Sequence, residues 1–152
     1  MAANTLLSEL GGKVIMGSKH DEIIETWLAD GTCKAGWLVG VDGTDLVVAG
    51  SNDGTYEYFT GIALPRYDTD CDTAFTAADM IEVVIPQSGH YYAVACTDTG
   101  ATLEGGHALT MGAAAGVVLK CATFDGGSDL QVIGSNKEQV ITGTEFLIMR
   151  WA

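Results

Sequence analysis

Apolar and polar residues alternate along this chain with a period of two far more often than with the period of a helix. In Thr55–Leu64, Tyr56, Tyr58, Ile62 and Leu64 share one face while Glu57, Phe59 and Ala63 share the other. Met80–Pro86 places Ile81, Val83 and Ile85 together with Glu82 opposite, and His90–Thr97 aligns Tyr92, Val94 and Cys96. Gly116–Phe124 aligns Val117, Leu119 and Cys121. The run Thr144–Trp151 is apolar on both faces, which predicts a buried strand and a C-terminus tied into the fold. Each of these runs predicts a strand. No segment keeps apolar spacing of three and four over the length a helix needs. Two short helical candidates are Asn4–Leu10, stopped by Gly11-Gly12, and a single turn at Thr76–Asp79.

Turn chemistry punctuates these runs. Asp-Gly pairs stand at Asp30-Gly31, Asp42-Gly43, Asp53-Gly54 and Asp125-Gly126, and this dipeptide suits the positive φ angles of tight turns. The first three are 12 and 11 residues apart, a spacing that predicts strand-turn-strand units of a β-meander. The chain therefore reads as all-β: a single small β-barrel, β-tulip-like or sandwich domain of about 8–10 short strands over residues 22–152. Residues 1–21 form a separate N-terminal arm, because Asn4–Lys19 lacks alternation and the first convincing strand is Glu22–Leu28. One reading of the arm is a frayed terminus. The other is a segment that orders on a neighbouring subunit through Leu6, Leu7, Leu10, Val14, Ile15 and Met16.

Composition narrows the partners. The 152 residues carry 20 Asp+Glu against 7 Lys+Arg, a net charge of −13, with 47% hydrophobic residues and 20 glycines. That length and apolarity support one well-packed domain. The charge opposes binding to nucleic acid or to an anionic membrane, since both repel an acidic surface. No apolar run approaches the roughly 20 residues of a membrane-spanning helix, and no secretory leader is expected from a start that carries Glu9 and no early cation.

Candidate chemistry is sparse. Asp68, Asp70 and Asp72 with Asp79 echo the oxygen-rich spacing of a calcium loop, but Thr73 stands where such a loop needs glycine. We read them as a solvated acidic loop, with the four carboxylates as the candidate cation ligands. Cys33, Cys71, Cys96 and Cys121 form no CxxC or CxxH pair, so a zinc site has no support and free thiols are expected. His20, His90 and His107 lie far apart, the last two as surface or turn residues. No GxSxG elbow, phosphate loop or dinucleotide fingerprint occurs, so neither a catalytic residue nor a cofactor is expected. Gly112–Gly116 reads as a small-residue loop or a close strand crossing, and Trp37, Tyr56 and Tyr91 as strand aromatics or sugar-stacking rings.

Several ordered pieces form a pattern: Lys34-Ala-Gly-Trp-Leu-Val39, Gly61-Ile-Ala-Leu64, Asp72-Thr-Ala-Phe75, Ile81-Glu-Val-Val-Ile-Pro86 and Ser88-Gly-His-Tyr-Tyr-Ala-Val94. Gly100-Ala-Thr-Leu-Glu-Gly-Gly-His-Ala-Leu109, Val132-Ile-Gly-Ser and Glu138-Gln-Val-Ile-Thr-Gly143 continue it. The pattern resembles capsid decoration proteins, also called structural cement proteins, of tailed double-stranded DNA viruses. It spans Gly31–Trp151 and leaves the arm outside. The resemblance implies a non-enzymatic homodimer or homotrimer on the outer surface of an icosahedral virion, assembled in the host cytoplasm. There it would bridge major capsid protein subunits. A different class, a sugar-binding or calcium-assisted β-module on a virion fibre or cell surface, is the alternative.

Overall fold

The computed structural model describes residues 14–16, 21–31, 33–41, 46–49, 59–66, 71–96, 104–111, 116–120, 132–137 and 146–152. Among these, eleven strands form: β1 (Ile15–Met16), β2 (Ile23–Ala29), β3 (Leu38–Val41), β4 (Leu46–Ala49), β5 (Phe59–Ala63), β6 (Met80–Ile85), β7 (Tyr91–Ala95), β8 (Ala108–Met111), β9 (Val118–Lys120), β10 (Val132–Asn136) and β11 (Phe146–Trp151). The all-β expectation holds. The period-two reading is visible in β6, where Ile81 and Val83 are buried and Glu82 is exposed. β11 is buried on both faces from Phe146 to Met149, and Ala152 N–H bonds to Ile133 O. Thr76–Asp79 is a single hydrogen-bonded turn with Ala78 at φ 68°, in the left-handed region. Asn4–Leu10 lies outside the described residues.

The strands divide into a closed barrel, in the order β2-β4-β3-β5-β6, and a six-stranded sheet, in the order β1-β7-β11-β10-β8-β9. The barrel has an odd number of strands, so neighbours cannot all run antiparallel around the ring. One parallel pair is required. It falls between β2 and β4, at Leu28↔Leu46 and Ala29↔Val47, while the other four pairs are antiparallel. The six-stranded sheet obeys the same parity. All its pairs are antiparallel, and it curls until Cys96, just past β7, makes a parallel bridge to Val118 of β9.

This order corrects the expected meander. Among the described strands, only β3 and β4, on either side of Asp42-Gly43, pair across an Asp-Gly site. Asp30-Gly31 separates β2 from β3, but β4 is inserted between them, and Asp53-Gly54 separates β4 from β5, with β3 inserted. The turn residues mark where strands stop. They do not say which strand lies next door, because pairing is decided by ring closure.

One core serves both parts. Leu38, Val39, Ile62, Ile81 and Val83 of the barrel and Tyr92, Leu109, Val118, Phe146 and Leu147 of the sheet belong to a single buried cluster. The segment Cys33–Leu38 is the seam. Gly36 N–H donates to Ala63 O of β5, Ala95 N–H of β7 donates to Gly36 O, and Leu38 N–H donates to Gly116 O beside β9. The seam works only with glycine at two points. Gly36 has φ +77° and Gly116 has φ +76°, and a Cβ would lie 2.4 Å from Phe146 Cε1 or 2.2 Å from Trp37 Cε3. The close crossing expected at Gly112–Gly116 is thus present at Gly116; residues 112–115 lie outside the described set.

The expected boundary at residue 21 divides differently in space. β1 pairs with β7, Ala93 N–H donates to Val14 O, and Val14 is buried in the core. The Val14 side chain is therefore taken up by the chain's own core, and Ile15 is half-buried with its backbone paired to Tyr92. Met16 pairs with Tyr91. Leu6, Leu7 and Leu10 lie outside the described residues.

Candidate functional site

Two features outside the regular core carry interaction chemistry: a buried polar clasp between barrel and sheet, and an exposed apolar face of the barrel. The clasp forms where Glu22, just before β2, meets the start of β7. The Glu22 side chain is 1% exposed, with Oε1 2.6 Å from His90 Nδ1. Tyr92 Oη donates to Glu22 Oε2 at 2.7 Å and accepts from Gln87 N–H at 2.9 Å. A carboxylate withdrawn from water needs such donors, because its hydration is otherwise lost without replacement. Burial pushes the Tyr92 phenol above its ordinary range; the Gln87 N–H bond opposes this and the Glu22 carboxylate adds to it. His90 closes the Gln87–His90 turn through its N–H and is 33% exposed, as a surface or turn residue should be, while its ring makes a contact with the buried Glu22 carboxylate. Nothing in the sequence signals it, since Glu22 and His90 are 68 residues apart. His107 does sit in a turn, its Nδ1 accepting from Glu104 N–H at 3.0 Å. His20 lies outside the described residues.

The other expected site residues are accounted for locally. Asp79 pairs with Arg66 at 3.1 Å and accepts from Thr76 N–H at 3.0 Å, so its carboxylate closes its own turn. Asp72 is half-buried, and Asp68 and Asp70 lie outside the described residues. Among the described residues no group of three His, Cys, Asp or Glu is placed to hold a metal ion. Lys34 Nζ lies 5.6 Å over the Trp37 ring and Lys137 Nζ 5.0 Å over Tyr91, so each ring already has a cation on one face. Tyr56 lies outside the described residues. A depression of about 470 Å³ on the six-stranded sheet is lined largely by small residues such as Gly89, Gly106, Ala108 and Gly134. Arg150 is the one charged side chain in its lining.

Cys33, Cys71 and Cys96 carry thiols. Burial pushes the Cys33 thiol up to about 12 from an ordinary 9.0, and the nearby Asp30 charge acts in the same direction. A group that holds its proton more tightly when folded stabilises the fold fully below its unfolded pKa, and that stability is lost as pH rises toward the folded value. Wild-type stability should therefore fall above about pH 9, with Cys33 contributing a slope of up to about 1.4 kcal/mol per pH unit. Urea midpoints measured across pH 8–11 check this. Cys33→Ala should flatten the fall relative to wild type, and an unchanged slope would remove Cys33 from the account.

The exposed face lies on β2 and β6. Ile23, Ile24, Leu28 and Met80 are 52, 47, 45 and 67% exposed, although residues of this type are ordinarily interior. The register sets Leu28 directly opposite Met80, Thr26 opposite Glu82 and Ile24 opposite Val84. Ile24, Thr26 and Leu28 thus share the outer face of β2 with Met80 and Glu82, while Trp27 and Ala29 turn to the core. Ile24, Leu28 and Met80 on this strip are three of the four large apolar side chains exposed among the described residues, the fourth being Ile23 on the other face of β2.

The fold itself has known counterparts. It is a small all-β fold, and it aligns along most of its length with two solved chains from bacteriophages. A chain of the capsid of the Myoviridae phage XM1 superimposes with a TM-score of 0.59 over 91% of this chain and 87% of its own, at 16% identity. The N base of the head fibre gp8.5 of bacteriophage phi29 superimposes with a TM-score of 0.52 over 86% of this chain and 94% of its own, at 18% identity. At such identities the likeness is one of fold. No protein-family model and no curated protein sequence matches the chain.

Proposed function

We propose that this protein is a structural component of a bacteriophage virion, a decoration protein that seats on the outer surface of the icosahedral capsid. There it bridges and stabilises neighbouring major capsid protein subunits, acting as a homodimer or homotrimer and without catalytic chemistry. The observation that carries this reading is the fold likeness to a phage capsid chain across 91% of the present chain. Three physical features support it. The barrel exposes large apolar side chains. The core joins barrel and sheet into one unit, as a load-sharing clamp requires. The −13 charge gives a coat layer that repels other particles in solution. Residues 1–13 complete the picture as an arm, with Leu6, Leu7 and Leu10 as the contacts to a neighbour.

Co-sedimentation of the purified protein with expanded, undecorated capsids tests the reading. Saturable binding in many copies per particle is the expected result, and protein that stays in the supernatant at every concentration overturns it. Removing residues 1–13 should lower occupancy, and unchanged occupancy would remove the arm from the reading. Removing residues 1–19 should also lower the melting temperature, because Val14 leaves the core and β1 leaves β7. A second reading, a base that seats a fibre on the head, draws on the likeness that spans 94% of the phi29 head-fibre base. Cryo-EM of decorated particles separates the two by whether density continues outward from the barrel.

A further inference from the structure

The exposed strip on β2 is accompanied by an open backbone edge. Ala29 N–H donates to Asp79 O and Ala29 O accepts from Ala78 N–H, so Ala29 directs its main chain toward β6. On β6, Glu82 O accepts from Leu64 N–H and thus faces β5. Main-chain groups alternate sides along an antiparallel ladder. It follows that Ile23, Glu25 and Trp27 bond to β6, while Ile24 and Thr26 aim their N–H and C=O at the opposite edge. On that edge β4 pairs with β2 only at Leu28 and Ala29. Among the described residues, the edge along Ile23–Thr26 has no neighbouring strand.

Proteins ordinarily blunt such an edge with lysine, proline or a covering loop. Asp21–Ala29 contains no lysine, arginine or proline, and Ile23 through Thr26 are exposed on both faces. We infer that the outer edge of β2 is a strand-addition site for an extended segment of a capsid subunit in which apolar residues alternate with lysine or arginine. The charge pattern selects that chemistry. One face of the edge offers Ile24 and Leu28, with Met80 and the Glu82 carboxylate beyond on β6; the other offers Ile23 and the Glu25 carboxylate. An added strand with apolar residues on the first face and cations on the second meets a complement on both. A second copy of β2 would instead set carboxylate against carboxylate across the pair, which disfavours self-association here.

The identity of the partner rests on the function proposed above, whereas the strand-addition site does not, and the two are tested separately. The first arm titrates a short capped Lys-Val repeat peptide into ¹⁵N-labelled protein. The Ile24 and Thr26 amides should shift and exchange with solvent about tenfold more slowly at saturation. Thr26→Pro removes an outward N–H that β6 does not use, and should weaken the peptide about tenfold or more. Glu25→Lys should do the same at low salt and serves if the proline variant does not fold. Unchanged Ile24 and Thr26 amides, or equal binding to wild type and Glu25→Lys, would overturn the site. The second arm is capsid co-sedimentation of the same variants. Capsid binding without peptide binding at β2 leaves the decoration reading standing and removes this site. Peptide binding at β2 without capsid binding keeps the site and removes the decoration reading. Failure of both removes both.

Discussion

Gly36→Ala should lower stability by about 3 kcal/mol, a drop of roughly 10 °C in melting temperature for a chain of this length. Two effects add. An alanine held at φ +77° sits in the left-handed region, at a cost of about 1–2 kcal/mol. Its Cβ would also stand 2.4 Å from Phe146 Cε1, and that ring is buried in the shared core, so relief requires repacking worth about 1–3 kcal/mol. Backing away is opposed because Gly36 bonds β5 through its N–H and β7 through its C=O. Gly89→Ala is the internal control. Gly89 has φ +83° with nothing within 4 Å of its added Cβ, so only the backbone cost applies. Thermal or urea melts of the two variants separate the contributions. Equal losses would mean that the seam is not tightly packed.

The second large effect is expected at the clasp. Tyr92→Phe should lower stability by about 3 kcal/mol, although it deletes a single oxygen. The phenol donates to Glu22 Oε2 and accepts from Gln87 N–H, so its loss leaves a buried acceptor and a donor unmatched at about 1–3 kcal/mol each. The ring itself keeps its place against Trp151, edge to face at 6.5 Å. Repeating the substitution in a Glu22→Ala background should lower its cost by about 1 kcal/mol or more, since no carboxylate remains to be stranded. Urea midpoints of the four proteins complete the cycle. A cost that is the same in both backgrounds would show that Tyr92 and Glu22 are not coupled.

Much of the strand content is legible in the sequence because a strand's own pattern records which face it buries. Ile81, Glu82 and Val83 alternate in sequence and in burial. The doubly apolar run ending at Trp151 became a strand buried on both faces over its first four residues. Part of the arm is not legible: Val14 carries no alternation with its neighbours, yet it fills a place in the core beside β7. Strand order is not legible from the turn residues, which describe the local backbone and not the next neighbour. The apolar strip on β2 and β6 was only half legible. Ile23, Ile24, Leu28 and Met80 are ordinary core residue types, and only their burial shows that they are unspent.

By itself the sequence determined the class of the fold and the net acidic charge of the chain. Those properties follow from composition and from a period of two, which are local and additive. The tertiary structure alone decided the rest. A ring of five strands must contain one parallel pair, and in this fold that pair is β2 with β4. Among the described residues the first half of β2 keeps one edge without a neighbouring strand and two exposed faces, and the fold brings Glu22 to His90 and Tyr92, 68 and 70 positions further along. Closure is a property of all the strands at once, so no window along the chain contains it.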